Sequence, residues 1–310
     1  MLKKIVLMAV CGTFIMSASF SQGLSINTEV VSSGLDIFSV DLLDTVPNVA
    51  VQQGVWADAW IGKLIPSVPP HLGGGLTVGI AQLDSKGLNV AIDELNATIS
   101  QLGPEIPEVS DKLFLPTITA DLRIGGLFLP FDLGISVMKI PTVNLKMLGS
   151  GVSLDFFTVG GSLRIPLMQG NVILPKISLG AGFMYSKGSV NVEAKDDFAY
   201  VSTDFDSKTL FLEAQISKTI LFVTPFVGFR GILSESTSSW DWKVAAGLPF
   251  EQAGSGKGSK SFTDDFMDNL QYQVYFGASL NVFIIHTTVS ASYDFKNSIW
   301  GGNLSLRVNL

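Results

Sequence analysis

Charged side chains interrupt the apolar stretches of this sequence at a shared parity. Asp121 and Arg123, Asp132, Arg164, Lys176, Glu213, Arg230, Asp294 and Arg307 stand among aliphatic or aromatic neighbours, so an extended chain turns them to one side. Both signs occur in near-equal measure. Such a set either pairs up to fill a narrow interior or lines a charged passage. Phe156, Phe211, Phe222, Phe226 and Tyr275 fall on the same nominal side, where they would contact a small hydrophobic molecule or pack among themselves.

Catalytic chemistry has little to build on. The only histidines are His71, ahead of the first strong strand, and His286, in an expected turn, where a histidine is usually solvated. No enzyme is expected. "GSGKGSK", from Gly254 to Lys260, has Gly258 where a phosphate loop needs Ser or Thr, and reads as a flexible loop. Asp204 and Asp206 read as solvated loop acids rather than calcium ligands. No His, Cys and carboxylate cluster suggests a metal, and no cofactor is expected.

The elements that position these residues follow from composition and periodicity. Of 310 residues only 15% are charged and 31 are glycine; mean hydropathy is +0.41. The opening "MLKKIVLMAVCGTFIMSASFSQG" has Lys3 and Lys4, a short apolar run and then small residues, the pattern of a cleaved signal peptide over 1–21. Cys11, the single cysteine, falls inside it, so the exported chain would have no thiol chemistry. The formal net charge of −7 becomes more negative without Lys3 and Lys4. That balance offers no footprint for nucleic acid.

Beyond the signal the hydrophobicity is distributed by alternation. From Leu270 to Phe283, Tyr272, Val274, Phe276, Ala278, Leu280 and Val282 oppose Gln271, Gln273, Tyr275, Gly277, Ser279 and Asn281. Period two over that length is a strand. Further strands are expected near Leu76 and Ile118, and over Phe131 to Lys139, Phe156 to Ile165, Val172 to Tyr185, Lys208 to Ser217, Leu221 to Leu233 and Thr288 to Phe295. A weaker candidate runs from Val51 to Gly62. "AIDELNATISQL", Ala91 to Leu102, reads as an amphipathic helix stopped by Gly103 and Pro104.

Short and long connections alternate along the chain, as in an up-and-down membrane barrel with short periplasmic turns and longer outer loops. The expected fold is therefore all-β: an antiparallel up-and-down transmembrane β-barrel of about 10–14 strands, with 12 the best count, and short N-terminal and loop helices. Residues 22–50 would form a periplasmic lead or a plug in the lumen, and 51–310 the barrel. Pro116, Pro175 and Pro225 must then sit at strand ends or bulges. Tyr185, Tyr272, Tyr293, Phe295 and Trp300 would form interfacial girdles. Trp240 and Trp242, in a long outer loop from Ser234 to Asn269, would meet headgroups or a partner, or pack over the barrel mouth.

The closing "NLSLRVNL" resembles the C-terminal signal read by the barrel-assembly machinery, although Leu310 replaces the usual terminal aromatic. The body, "QQGVWADAWIGKLIPSVPPHLGGGLTVG" followed by "PTITADLRIGGLFLPFDLG", resembles spirochaetal outer-membrane barrel proteins, some similar to the FadL-type long-chain fatty-acid transporters. The resemblance implies residence in a bacterial outer membrane, with membrane lipid and, through Asn303 to Leu310, the assembly machinery as partners. It also implies passive or facilitated uptake of small molecules, with fatty-acid-like cargo as the specialisation. The alternative expectation is a structural or adhesive surface barrel with a filled lumen and functional outer loops.

Overall fold

The computed structural model describes residues 26–61, 71–100, 103–126, 131–144, 152–195, 198–244, 254–262 and 269–310, without the side chains of 141–144. The expected signal peptide, with Cys11, lies outside these residues. Helix α1 (Thr28–Gln52) precedes strand β1 (His71–Asp84), and helix α2 (Lys86–Ile99) follows it. The remaining strands are β2 (Lys112–Gly125), β3 (Asp132–Asn144), β4 (Val152–Gln169), β5 (Lys176–Glu193), β6 (Ala199–Ser217), β7 (Val223–Val244), β8 (Ser255–Phe262), β9 (Gln271–Val282), β10 (Ile285–Asp294) and β11 (Trp300–Asn309).

Each strand pairs antiparallel with the next, except that β8 does not pair with β9, and β11 returns to β1 through Gly73↔Asn309 to Ala81↔Gly301. The lower part of β7 pairs with β9 and its upper part with β8, so β8 stands outside the ring. The wall thus has ten strands, the low end of the expected range rather than its best count of 12. The missing pair traces to the Trp56 region: Val51–Ile61 forms no strand and lies inside the barrel. Pro175 precedes β5, and Pro225 lies near the start of β7. Pro116 falls beyond Thr119↔Met138, where the β2–β3 ladder ends and no longer needs its N–H.

The exterior explains why the strands are longer than the sequence pattern suggests. Below a level marked by Lys139, Lys187, Lys208 and Glu235, outward side chains are apolar: Leu76, Val78 and Ile80 on β1, Leu210, Leu212 and Ile216 on β6, and Leu304, Leu306 and Val308 on β11 are exposed. Tyr272, Tyr293, Phe295 and Trp300 lie on the outside near the upper edge of this band, with Tyr293 packed on both Phe295 and Trp300. Above the band the alternation reverses. On β6, Val201 and Phe205 point inward while Ser202, Asp204 and Asp206 face out. On β7, Trp240, Trp242 and Val244 are inside and Glu235, Ser239 and Asp241 outside. A barrel half-embedded in lipid is apolar outside, whereas its water-exposed half must be apolar inside, so one strand carries both phases.

That reversal corrects two expectations. The stretch from Ser234 is not a long loop, because β7 continues to Val244 and "GSGKGSK" forms most of β8. Asp204 and Asp206 lie on strand β6, not on a loop. Trp240 and Trp242 are buried against the inner elements, with Trp240 Nε1 donating to Asp36 Oδ1 (3.0 Å). Gly258 and Gly256 lie directly across from the two indole rings, leaving no space there for a side chain.

Helix α1 is capped by Asn27, whose Oδ1 accepts from Val30 N (3.3 Å), and enters the barrel from the end opposite the short turns. It is long, not the short helix expected. Val31, Leu35, Phe38, Leu42, Val46 and Val49 are fully buried against Leu88, Ile92 and Leu95 of α2 and the inner faces of the upper strands. The helices cross closely: a Cβ on Gly34 would lie 2.7 Å from Gly87 O, and one on Gly87 2.6 Å from Gly34 O. Glycine at both positions is what permits the approach.

Candidate functional site: the barrel lumen

Below its apolar upper half α1 turns polar, and its last turn reads the barrel wall through side-chain amides. Asn48 Nδ2 donates to Gln271 Oε1 (2.8 Å), and Gln273 Nε2 donates to Asn48 Oδ1 (3.0 Å). Gln52 Nε2 donates to Asn303 Oδ1 (3.0 Å) and Ile80 O (3.2 Å), and Ser292 Oγ donates to Gln52 Oε1 (3.1 Å). Gly301 lies beside the Gln52 amide, where any side chain would collide. The helix C-terminus, rich in unsatisfied carbonyls, is met by a cation: Arg230 Nη1 donates to Val51 O (2.8 Å).

From Gln53 to Ile61 the chain turns and bends down the lumen between charged wall residues, without forming helix or strand. Trp56 lies under two guanidinium groups, Arg307 at 4.7 Å and Arg123 at 5.5 Å from its ring centre. Gln215 Nε2 donates to Trp56 O (2.7 Å), and Arg164 Nη1 to Asp58 O (3.1 Å). Ala59 N donates to Ser217 Oγ (2.9 Å) and Ile61 N to Asp132 Oδ2 (3.2 Å). The inserted backbone is thus hydrogen-bonded to the wall nearly residue by residue, as a buried non-helical segment requires.

The wall charges also satisfy one another. Asp132 accepts from Arg123 Nη1 (2.6 Å) and, in a fork, from Arg164 Nε (3.0 Å) and Nη2 (2.9 Å). Arg307 forks onto Asp121, with Nη2 at 2.8 Å and Nε at 3.0 Å from Oδ2. Arg230 Nε donates to Glu213 Oε2 (2.8 Å), and the Tyr275 hydroxyl lies 3.2 Å from that same oxygen. Lys176 Nζ donates to Asp58 Oδ1 (2.7 Å) at the turn end. Asp294, fully buried near the outer end of β10, accepts from Asn297 N (2.7 Å). Seven of the nine parity-selected residues therefore meet as wall-to-wall ion pairs, while Lys176 pairs with Asp58 of the inserted segment and Asp294 accepts from a turn amide.

The aromatic set is divided. Phe156 packs edge-on against Phe205 in the outer apolar core (5.3 Å). Phe211 lies beneath Arg230 (5.5 Å), and Phe226 tilts against Tyr275 beside Val55 and Ala57. Phe222 is not inside: it stands exposed in the β6–β7 turn, because the ladder ends at Ser217↔Phe226 and parity does not carry through the turn. Sequence reasoning did not single out Asn48, Gln52, Gln53 and Trp56. Their signal was glycine on the inner face of β1, at Gly73 and Gly79, together with Gly301, where side chains give way to an inserted chain.

No family model and no curated protein matches the sequence. Among solved structures, the chain is similar to the outer-membrane protease OmpT from Escherichia coli, at 11% identity over 78% of this chain and 95% of that one, with a TM-score of 0.43. It is also similar to the translocator domain of the autotransporter NalP from Neisseria meningitidis (8% identity, 90% and 96% covered, TM-score 0.38). A FadL homologue from Pseudomonas aeruginosa follows (9% identity, 83% and 97%, TM-score 0.30).

Proposed function

We propose that the protein is an outer-membrane barrel closed by its own N-terminal segment, and that it works chiefly through the rigid polar structure it raises above the membrane. The observation that carries this reading is the unbroken series of wall contacts from Asn48 to Ile61, which occupies the lumen from mid-height to the turn end. Above the apolar band β4 to β8 present a polar outer surface, including the pairs Tyr185–Asp206 (2.6 Å) and Tyr200–Asp241 (2.8 Å). This is the structural or adhesive class of barrel. Catalysis is not part of the proposal: His71 is hydrogen-bonded to Leu310 O (3.1 Å), and His286 lies 4.0 Å from Asp58 at the turn end.

A second reading, gated uptake of small, fatty-acid-like molecules, is favoured by one observation. The lower part of the inserted segment is held by hydrogen bonds that water can replace, while the upper part of α1 is locked by apolar packing. Planar-bilayer recording separates the two. Refolded protein is expected to insert without a stable open level, and a long-lived conductance in the unaltered protein would contradict closure. Conductance appearing only in an Asn48→Ala, Gln52→Ala variant would favour the gated reading.

A further inference from the structure

The end of the barrel bearing the short turns is strongly apolar. The tips are Val172, Ile173 and Leu174 between β4 and β5, Ile220, Leu221 and Phe222 between β6 and β7, and Phe283 and Ile284 between β9 and β10. Ile173, Leu221 and Phe283 are 84%, 88% and 98% exposed. Turns facing water favour Gly, Asn and Asp, above all where φ is positive. Leu221 (φ 56°) and Phe283 (φ 54°) occupy that left-handed region with large apolar side chains, so the sequence keeps hydrophobicity where the backbone favours a small polar residue.

We infer that these turns are a lipid anchor, inserted at the headgroup–acyl boundary of the adjacent leaflet; the inference rests on the membrane reading of the apolar band. Three observations support it. On β9 the patch continues the apolar band without a polar break, from Leu280 and Val282 into Phe283. The apolar exterior from Leu233 to the tip at Leu221 climbs roughly 30 Å at the usual rise and tilt, against about 25 Å for the band of a membrane barrel. The surplus is the turns. Part of their backbone is also satisfied within the turns, which lowers the cost of contact with lipid: Ile173 N and Leu174 N both donate to Asn171 Oδ1 (2.8 Å), Ile220 N donates to Val223 O (2.8 Å), and Asn281 N donates to Phe222 O (2.7 Å). Lys218 Nζ donates to Val172 O (2.7 Å) and Asn171 O (2.8 Å), spending its charge on turn carbonyls.

The test uses the unaltered protein in phosphatidylcholine–phosphatidylglycerol vesicles, without other proteins, containing a lipid with a diazirine in its acyl chain close to the headgroup. After illumination, peptide mass spectrometry should find insertion at Ile173, Leu221 or Phe283 as well as at Leu212 and Leu306, and none over Glu235–Lys243. Labelling of Leu212 and Leu306 with none at the turns would overturn the anchor and leave the band intact, as expected if a soluble partner covers them. No labelling at Leu212 or Leu306 would overturn the membrane reading and the anchor with it.

Discussion

Asp132 shows what a single residue does in this lumen. Its carboxylate, fully buried, balances Arg123 and Arg164 and also receives Ile61 N of the inserted chain. Removing one partner of a buried ionic group leaves the other charge uncompensated and costs about 3–5 kcal/mol. Asp132→Asn should therefore lower the unfolding free energy of the refolded barrel by that order, read as a lower urea midpoint, and an unchanged midpoint would mean the charges are solvated. At the outer mouth the balance is different. Asp41, beside Asp84, Asp44 and Lys86, has its pKa raised to about 6, first by burial and then by Asp84. A raised carboxylate is a penalty that is absent below the unfolded value, grows as pH rises through the interval, and is complete above about 6. Asp41→Asn should thus stabilise the protein at pH 8, by up to about 1 kcal/mol after solvent screening, and not at pH 3. Denaturation at the two pH values decides it.

Among the elements, α1 and α2 depend on each other through Gly34 and Gly87. Gly87→Val would push a side chain against the Gly34 carbonyl and the Phe38 amide, both backbone atoms that cannot move aside. Overpacking of this kind costs about 1–3 kcal/mol. Hydrogen exchange should report it as faster exchange across Lys86–Ile99 with the lower strands unchanged. The strands also show what a sequence can reveal. Where lipid lies outside, one parity is apolar without interruption, and β9 from Tyr272 to Val282 is readable directly. Above the lipid the phase flips, so Ser202, Asp204 and Asp206 imitate a polar loop although they belong to β6. Side-chain parity orients a residue but cannot name its partner: nothing local links Asp121 to Arg307 or Val51 O to Arg230. The inserted segment was harder still, because Gln52, Gln53 and Trp56 look unremarkable until the glycines opposite them are seen as space.

For the molecule as a whole, two solvents divide one barrel. The lower half is apolar outside and holds ion pairs and the inserted, irregular chain; the upper half is polar outside and holds a helical core. The inserted segment joins the halves, since α1 anchors in the upper core and its continuation lies in the lower lumen. The most direct test of this account is cross-linking of that segment to the wall in intact cells. With Cys11→Ser as background, Ala59→Cys and Ser217→Cys put thiols on two residues already in contact, Ala59 N lying 2.9 Å from Ser217 Oγ. Mild oxidation should convert nearly all of the folded protein to the internally bridged form, seen as a mobility shift reversed by reductant. Folded protein that stays unbridged under the same oxidation would contradict a lumen filled by its own chain.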